Sequence, residues 1–338
     1  MKSRKPFLFD RDLSQPLRRV MLNVELEENG QRLDRFLASR LFWRTRSSVQ
    51  RLIRDGDVTV NGERRKHGRR VWEGDEITIR IPHPPFEVEE GIQDIPIEVL
   101  TEDRILVAVN KQPFLPVHPS GRHVHNTLIN ALHAKYRRPD DPDLDVVPRL
   151  CHRLDRETSG IVLVSKVDAY RAALSTQFEN RTVQKTYLAL VRGRLEKEEG
   201  TVDLPIGPAV SSQLRVRMAI RFDGAGLPSQ TSFRVQQRFR DYTLVECTPK
   251  TGRQHQIRVH LAALGHPIVG DKIYGPDEEY FIKYAADELT EDDLAALEMS
   301  RHALHAWKLR FWHPVAQEHR EVTAPLWSDI REFMIGLE

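Results

Sequence analysis

At 338 residues, with 51 Lys or Arg against 49 Asp or Glu and 40% hydrophobic residues, the chain is long enough for two domains with a sizeable core. Two cysteines, Cys151 and Cys247, supply neither a disulfide framework nor a repeated metal-ligand spacing, and nowhere is there an apolar run of membrane length, so a soluble protein of a reducing, cytoplasmic compartment without a zinc site is expected. The formal net charge of +2 hides an uneven distribution: residues 31–81 carry 13 basic against 7 acidic side chains, a local +6 that leaves −4 for the rest, and a small basic module on a near-neutral body suggests a phosphate-backbone partner.

Residues 1–25 mix Lys2, Arg4, Lys5, Arg11, Arg18 and Arg19 with few apolar anchors and read as a mobile basic arm. The module expected over 26–84 begins with Leu33, Phe36, Leu37 and Leu41 at helical spacing. A second helix follows, with Ser47 as its cap, Val49, Leu52 and Ile53 as its apolar face and Gly56 as its stop. Val58–Val60, the Asn61-Gly62 turn and the alternating stretch 76–81 read as short strands. Pro82, Pro84 and Pro85 with the acidic residues behind them read as an extended linker over 85–96.

A second domain is expected over 97–338. It opens with a strand at 105–109, then Asn110-Lys111-Gln112-Pro113 and Val117-His118-Pro119. A helix carrying Leu128, Ile129, Leu132 and Tyr136 leads to a Pro/Asp-rich loop. That loop delivers the chain to Cys151-His152-Arg153-Leu154-Asp155-Arg156-Glu157-Thr158-Ser159-Gly160, followed at once by the apolar run Ile161–Val164. An acid among Arg153, Arg156 and His152 at the entrance of a buried strand is a carboxylate held ionised by its neighbours, and such a carboxylate can act as a nucleophile. Beyond a helix at 169–178, residues 181–193 alternate as a strand around Lys185-Thr186-Tyr187. Thr251-Gly252-Arg253-Gln254-His255-Gln256-Ile257-Arg258 then turns a strand into a helix whose buried side is Ile257, Leu261 and Leu264. Residues 276–298, with nine acidic residues and one Lys, read as a helical insertion facing solvent. The aromatic tail, Trp307, Phe311 and Trp312, is expected to complete the core.

Three stretches together carry a resemblance. The His-Arg-Leu-Asp-Arg loop, the Lys-Xaa-Tyr-Xaa-Ala strand and the Thr-Gly-Arg-Xaa-His-Gln turn resemble the signatures of the RluA-type pseudouridine synthases, which isomerise uridine in RNA without a cofactor. The helix–helix–strand module around Val-Asn-Gly resembles the RNA-binding domain of ribosomal small-subunit protein four. The resemblance implies an α+β fold: a catalytic domain on a mixed, largely antiparallel sheet with flanking helices, plus a small N-terminal α/β RNA-binding domain. It also implies Asp155 as the essential acid, Tyr187 as the residue stacking on the target base, and Arg253 as the cation orienting Asp155. Phosphate contacts are carried over to Arg44, Arg46, Arg51, Arg54, Arg64, Arg65, Lys66, Arg69 and Arg70, and His118, Arg153 and Arg156 are expected to touch RNA. For Arg258 and His260 a site role and a structural role both stay open. Gln254 stands where the family usually has Thr or Ser, and His125-Asn126-Thr127-Leu128 stands where Gly-Thr-Leu is usual.

The implied function is a cofactor-free RNA isomerase acting as a monomer, with large-subunit ribosomal RNA as first substrate and tRNA as second. Two alternatives stay open: a non-catalytic RNA-binding or ribosome-assembly protein, and a glycosidic hydrolase. The hydrolase would need a second carboxylate that the three stretches do not supply.

Overall fold

The computed structural model describes residues 19–41, 46–80, 94–119, 126–138, 140–141 and 143–337. Their contacts divide into two units, one drawn from residues 1–95 and 118–147, the other from 96–117 and 148–338. Among the described residues no helix is long and apolar enough to cross a membrane.

The first unit contains β1 (Arg19–Asn23), α1 (Leu33–Arg40), α2 (Arg46–Asp55), β2 (Val58–Val60), β3 (Glu63–Arg64) and β4 (Glu76–Arg80), with sheet order β1-β4-β2-β3. The helical spacing is used as expected: Leu33, Phe36, Leu37 and Leu41 are fully buried and join Val49, Leu52 and Ile53 of α2 and Ile77 and Ile79 of β4 in one core. The β2–β3 hairpin turns through Asn61 and Gly62, at φ 52° and 80°. Positive φ at both central residues is what a tight hairpin turn requires, and Asn-Gly supplies it at least strain. Ser47 lies inside the first turn of α2, which starts at Arg46.

The arm expected over 1–25 is shorter than that. Arg19–Asn23 pairs antiparallel with β4, Arg19 opposite Arg80 and Asn23 opposite Glu76. Val20, Leu22 and Val24 alternate inward and are buried, so period-two burial outweighs the local basic composition. Residues 1–18, and most of the expected linker, lie outside the described residues. The first unit also holds α3 (Leu128–Tyr136), opened by a reciprocal cap between Thr127 and Asn130.

The second unit is built on β5 (Glu98–Glu102), β6 (Leu106–Lys111), β7 (Arg149–Leu150), β8 (Ser159–Ser165), α4 (Asp168–Glu179), β9 (Gln184–Arg192), β10 (Glu199–Asp203), β11 (Ile206–Pro208), β12 (Met218–Ile220), β13 (Gln230–Arg238), β14 (Tyr242–Pro249), α5 (Gln256–Ala263), α6 (Glu279–Ala286), α7 (Glu291–Leu297), β15 (Leu304–His313), β16 (Glu318–Thr323) and α8 (Ser328–Ile335). Ten strands form one sheet of order β10-β13-β14-β9-β15-β8-β6-β5, with β16 on β15 and β7 on β8. All described pairs in it are antiparallel except β8 with β15. The fold is therefore α+β with a mixed, largely antiparallel sheet.

The sheet centre positions the chemistry. Ala306 of β15 pairs with Gly160 at the start of β8 on one side and with Tyr187 of β9 on the other. Two inter-strand steps separate those neighbours, roughly 10 Å, so the loop ahead of Gly160 and the Tyr187 ring share one end of the sheet. Not every apolar expectation holds: Leu264 and Trp312 are 39% and 42% exposed. Leu264 follows the last turn of α5 as its cap residue, and Trp312 stands on the face of β15 where it meets the edge of His319.

Candidate active site

Asp155 sits on the loop between β7 and β8, and buried groups fix that loop from several sides. Gly160 takes φ +111°, and a Cβ there would lie 2.2 Å from the Ala306 carbonyl oxygen, so only glycine lets β8 approach β15 this closely. Ahead of it, Lys111 Nζ donates to the carbonyls of Arg156 at 3.0 Å, Leu115 at 2.9 Å and Gln112 at 2.8 Å. Arg301, wholly buried, donates to the Glu157 carbonyl at 3.1 Å and is held by Asp329 of α8. Thr158 Oγ1 meets His302 Nε2 at 2.8 Å and Ser159 Oγ meets His305 Nδ1 at 3.0 Å. His152 Nε2 accepts from the Leu163 amide and its ring stacks on Phe178. Burial, with the nearby Lys185 charge, pushes its pKa down to about 3, so it serves as a neutral acceptor.

The cation beside Asp155 is not the expected one. Arg258 Nη1 lies 3.5 Å from Asp155 Oδ2, and His255 Nε2 lies 4.0 Å away. Arg253 instead points its Nε at the Pro228 carbonyl, at 3.4 Å, while its backbone amide bonds the Gln256 side chain. The reason is local geometry. His255, at φ +56°, turns the chain into α5, which leaves Arg253 on the turn and brings Arg258 one helical turn inside, where it is buried. There the Asp271 carboxylate takes its Nε and Nη2 at 2.6 and 2.7 Å, and its guanidinium lies 5.0 Å from the Tyr274 ring centroid. Asp271 is itself oriented by the amides of Ile273 and Tyr274. Burial opposes charge on both, but each partner holds the other charged: Arg258 is raised above its ordinary range and Asp271 lowered below its own. His260, by contrast, is structural, bonded to Thr231 and the Leu204 carbonyl.

Asp155, Tyr187, His255 and Arg258 line one cavity of about 520 Å³, together with Arg153, Arg253 and Gln254. Such a volume suits a ligand of nucleoside size. The Tyr187 hydroxyl meets no partner among the described residues, and burial together with the charge on Asp155 holds the phenol in its protonated form. The Gln254 amide reaches the Val216 carbonyl at 3.3 Å. Arg156, expected to face RNA, turns to Tyr284 of α6, donating to its hydroxyl and lying over its ring, and Lys272 covers the same ring at 4.6 Å. The acidic insertion is therefore not simply solvent-facing, because α6 packs its tyrosine onto the loop that carries Asp155. Arg258, Asp271, Lys111 and Tyr284 were not assigned to the site from sequence. A lysine in the all-buried strand β6 is the one of these whose pattern carried a signal.

The model of the RNA pseudouridylate synthase family matches residues 105–263, and that of the S4 domain matches residues 31–77. An uncharacterised RNA pseudouridine synthase of Bacillus subtilis, YlyB, is 34% identical over 95% of this chain and 99% of its own. The chain belongs to the RNA pseudouridine synthase family. The ribosomal large subunit pseudouridine synthase D of Nitrosomonas europaea is 38% identical to it, over 92% of this chain and 86% of that one. Among solved structures, human RNA pseudouridylate synthase domain containing 1 superposes with a TM-score of 0.55 at 25% identity, covering 72% of this chain and 96% of that one. The synthase is thus an RNA isomerase carrying an RNA-binding S4 domain.

The basic residues of that S4 domain divide into two groups. Buried acids consume some of them: Arg46 pairs with Asp34 at 2.9 Å and Arg69 with Asp75 at 2.7 Å, since a buried carboxylate needs a counter-charge. Arg70 donates to the Gly30 carbonyl and Arg65 pairs with Glu63. Arg51, Arg54, Arg64 and Lys66 are exposed, and their side chains have no hydrogen-bond or ion-pair partner among the described residues. Arg64 lies against Gly56, at the end of α2. Arg44 falls outside the described residues, and His118 belongs to the first unit, not to the one that carries Asp155.

Proposed function

We propose that this synthase converts uridines of large-subunit ribosomal RNA to pseudouridine, with Asp155, Arg258 and Tyr187 as its catalytic residues. One observation carries the reading: the three side chains, distant in sequence, face a single cavity of about 520 Å³. The reaction breaks the bond from ribose C1′ to uracil N1, turns the base, joins C5 to C1′, and removes one proton from C5 while N1 takes one up, so atoms balance without a donor or oxidant. In this reading Asp155 acts on the ribose, as nucleophile or proton-abstracting base. Arg258, fixed by Asp271, opposes the cost of placing that charge in a partly dry site. Tyr187 lies against the uracil, and once the Asp155 charge is consumed its phenol ionises more readily, giving its own proton to solvent so that the phenolate can take up the C5 proton. The target uridine leaves its stack to reach the cavity, at roughly a few kcal/mol, offset by RNA contacts of the module at 26–84, where Arg51, Arg54, Arg64 and Lys66 are among the cations without a partner among the described residues. The substrate class is supported by the likeness to the large-subunit synthase D of Nitrosomonas europaea.

The test is to delete the gene, map pseudouridine across all cellular RNA, and complement with wild type and Asp155→Asn. Loss of one or more sites in large-subunit RNA, restored by wild type only, is expected. Sites lost from tRNA alone overturn the substrate, and restoration by Asp155→Asn overturns the role of the acid.

A further inference from the structure

Beside the Asp155 cavity lies a second, smaller one of about 230 Å³, which shares Phe178, Lys185 and Pro249 with it and is also lined by Arg181 and Lys250. Lys185 stands two residues before Tyr187 on β9, so the two side chains leave the same face of the strand, roughly 7 Å apart along it. Across from it is the turn into α5, where a Cβ on Gly252 would lie 3.6 Å from Lys185 Nζ. Lys185 is half-buried, and neither its side chain nor those of exposed Arg181 and Lys250 has a hydrogen-bond or ion-pair partner among the described residues. Burial and the neighbouring Arg181 charge both work against its ammonium. This differs from the fully buried cations Arg258 and Arg301, which have carboxylates, and Lys111, which has carbonyls. A partly desolvated ammonium with nothing to neutralise it is retained at a cost unless an anion arrives.

We propose that Lys185, with Arg181 and Lys250 at its rim, forms an anion subsite that grips the phosphodiester next to the target uridine while Tyr187 faces its base. The proposal rests on the reading of the larger cavity as the uridine site and adds to it the group that holds the strand in register. Arg181 is suited to the rim because it turns the chain from α4 into β9 at φ +60°, fixing its backbone beside the smaller cavity. A point charge at the inner position and a guanidinium at the outer one together suit a phosphate approached from one side.

The test uses a pentanucleotide RNA with one uridine among adenosines, bound by the full chain across a range of salt. In one version both linkages flanking the uridine are uncharged methylphosphonates. Wild type is expected to bind the natural RNA roughly tenfold more tightly than the neutral-linkage RNA. Lys185→Met should bind both alike, with a salt slope shallower by about 0.7, the value for one single-strand phosphate contact. Lys185→Arg should restore the preference. Equal binding of the two RNAs by wild type, or a preference that persists in Lys185→Met, overturns the subsite. Should Lys185→Met fail to fold, Arg181→Gln with Lys250→Gln, both at exposed positions, carries the same comparison. Tritium release from C5-labelled RNA keeps the two readings apart: no release from any RNA sinks the isomerase reading and leaves the phosphate preference standing on its own result.

Discussion

Arg258 grips Asp271 through two bonds of 2.6 and 2.7 Å and reaches Asp155, at 3.5 Å, with the nitrogen left over. One guanidinium thus serves a structural acid and the proposed reacting acid together, and Asp271 decides where it points. Arg258→Met should lower kcat/KM by about 10²–10³-fold and, by stranding a buried carboxylate, destabilise the protein by about 3–5 kcal/mol. Arg253→Met should do neither, altering kcat/KM by less than about tenfold. Single-turnover kinetics and urea melts on the two variants decide which arginine serves Asp155, and an equal loss in both would refute the assignment.

Gly160 offers a test of how the loop is delivered. Gly160→Ala places a methyl group against the Ala306 carbonyl and should cost more than about 3 kcal/mol. Gly62→Ala, at φ +80° with open space around it, should cost about 1 kcal/mol. Comparable denaturation midpoints for the two variants would show that β8 and β15 can separate at no penalty.

Lys111 predicts a pH dependence. Burial, aided by the Arg301 charge, lowers its pKa to about 7 from an ordinary 10.5. Between those values the unfolded chain binds the extra proton, so the contribution of this group makes stability rise with pH, fully reached above about 10.5 and lost as pH falls through about 7. Lys111→Met removes that rise and also leaves the Arg156 carbonyl without its donor. Unfolding free energies between pH 6.5 and 10 should therefore climb more steeply in wild type than in the variant, and parallel curves would count against the assignment.

Tyr284 links the acidic insertion to the loop. Tyr284→Ala removes the ring and hydroxyl that Arg156 meets and uncovers Lys272, and should reduce kcat about tenfold with RNA affinity little changed. Tyr284→Phe keeps the ring over both cations and should lose less. An activity equal to wild type in Tyr284→Ala would reduce α6 to a surface decoration.

The S4 domain separates by charge use. Arg51→Gln with Arg54→Gln removes two unpaired cations and should flatten the log–log salt dependence of binding to structured RNA by about 1.8, the sum for two phosphates. Arg69→Gln should instead lower stability, because Asp75 is left buried without its cation, with the slope nearly intact. The opposite pattern would mean that the grip lies on the face behind the turn.

Much was legible along the chain because its signals are local. Helical spacing at Leu33–Leu41, the Asn-Gly turn and the loop from Cys151 to Gly160 each depend on residues within one or two turns of one another, and such patterns pointed to the S4 domain and the α+β class, and singled out Asp155 and Tyr187 as the candidates that the fold then places around one cavity. The insertion was read as helical for the same reason.

What the tertiary structure alone decided are the choices between like residues. Arg253 and Arg258 share one short segment, and no spacing rule distinguishes them; a carboxylate from the following loop, Asp271, and the left-handed turn at His255 do. Likewise Arg46 and Arg69 look like RNA contacts in a basic stretch until the fold buries Asp34 and Asp75 beside them, and residues 19–23 look like an unstructured arm until β4 offers an edge. Charge pairing and strand pairing join positions that only folding brings near, and their energies are set by burial, which the linear sequence does not contain.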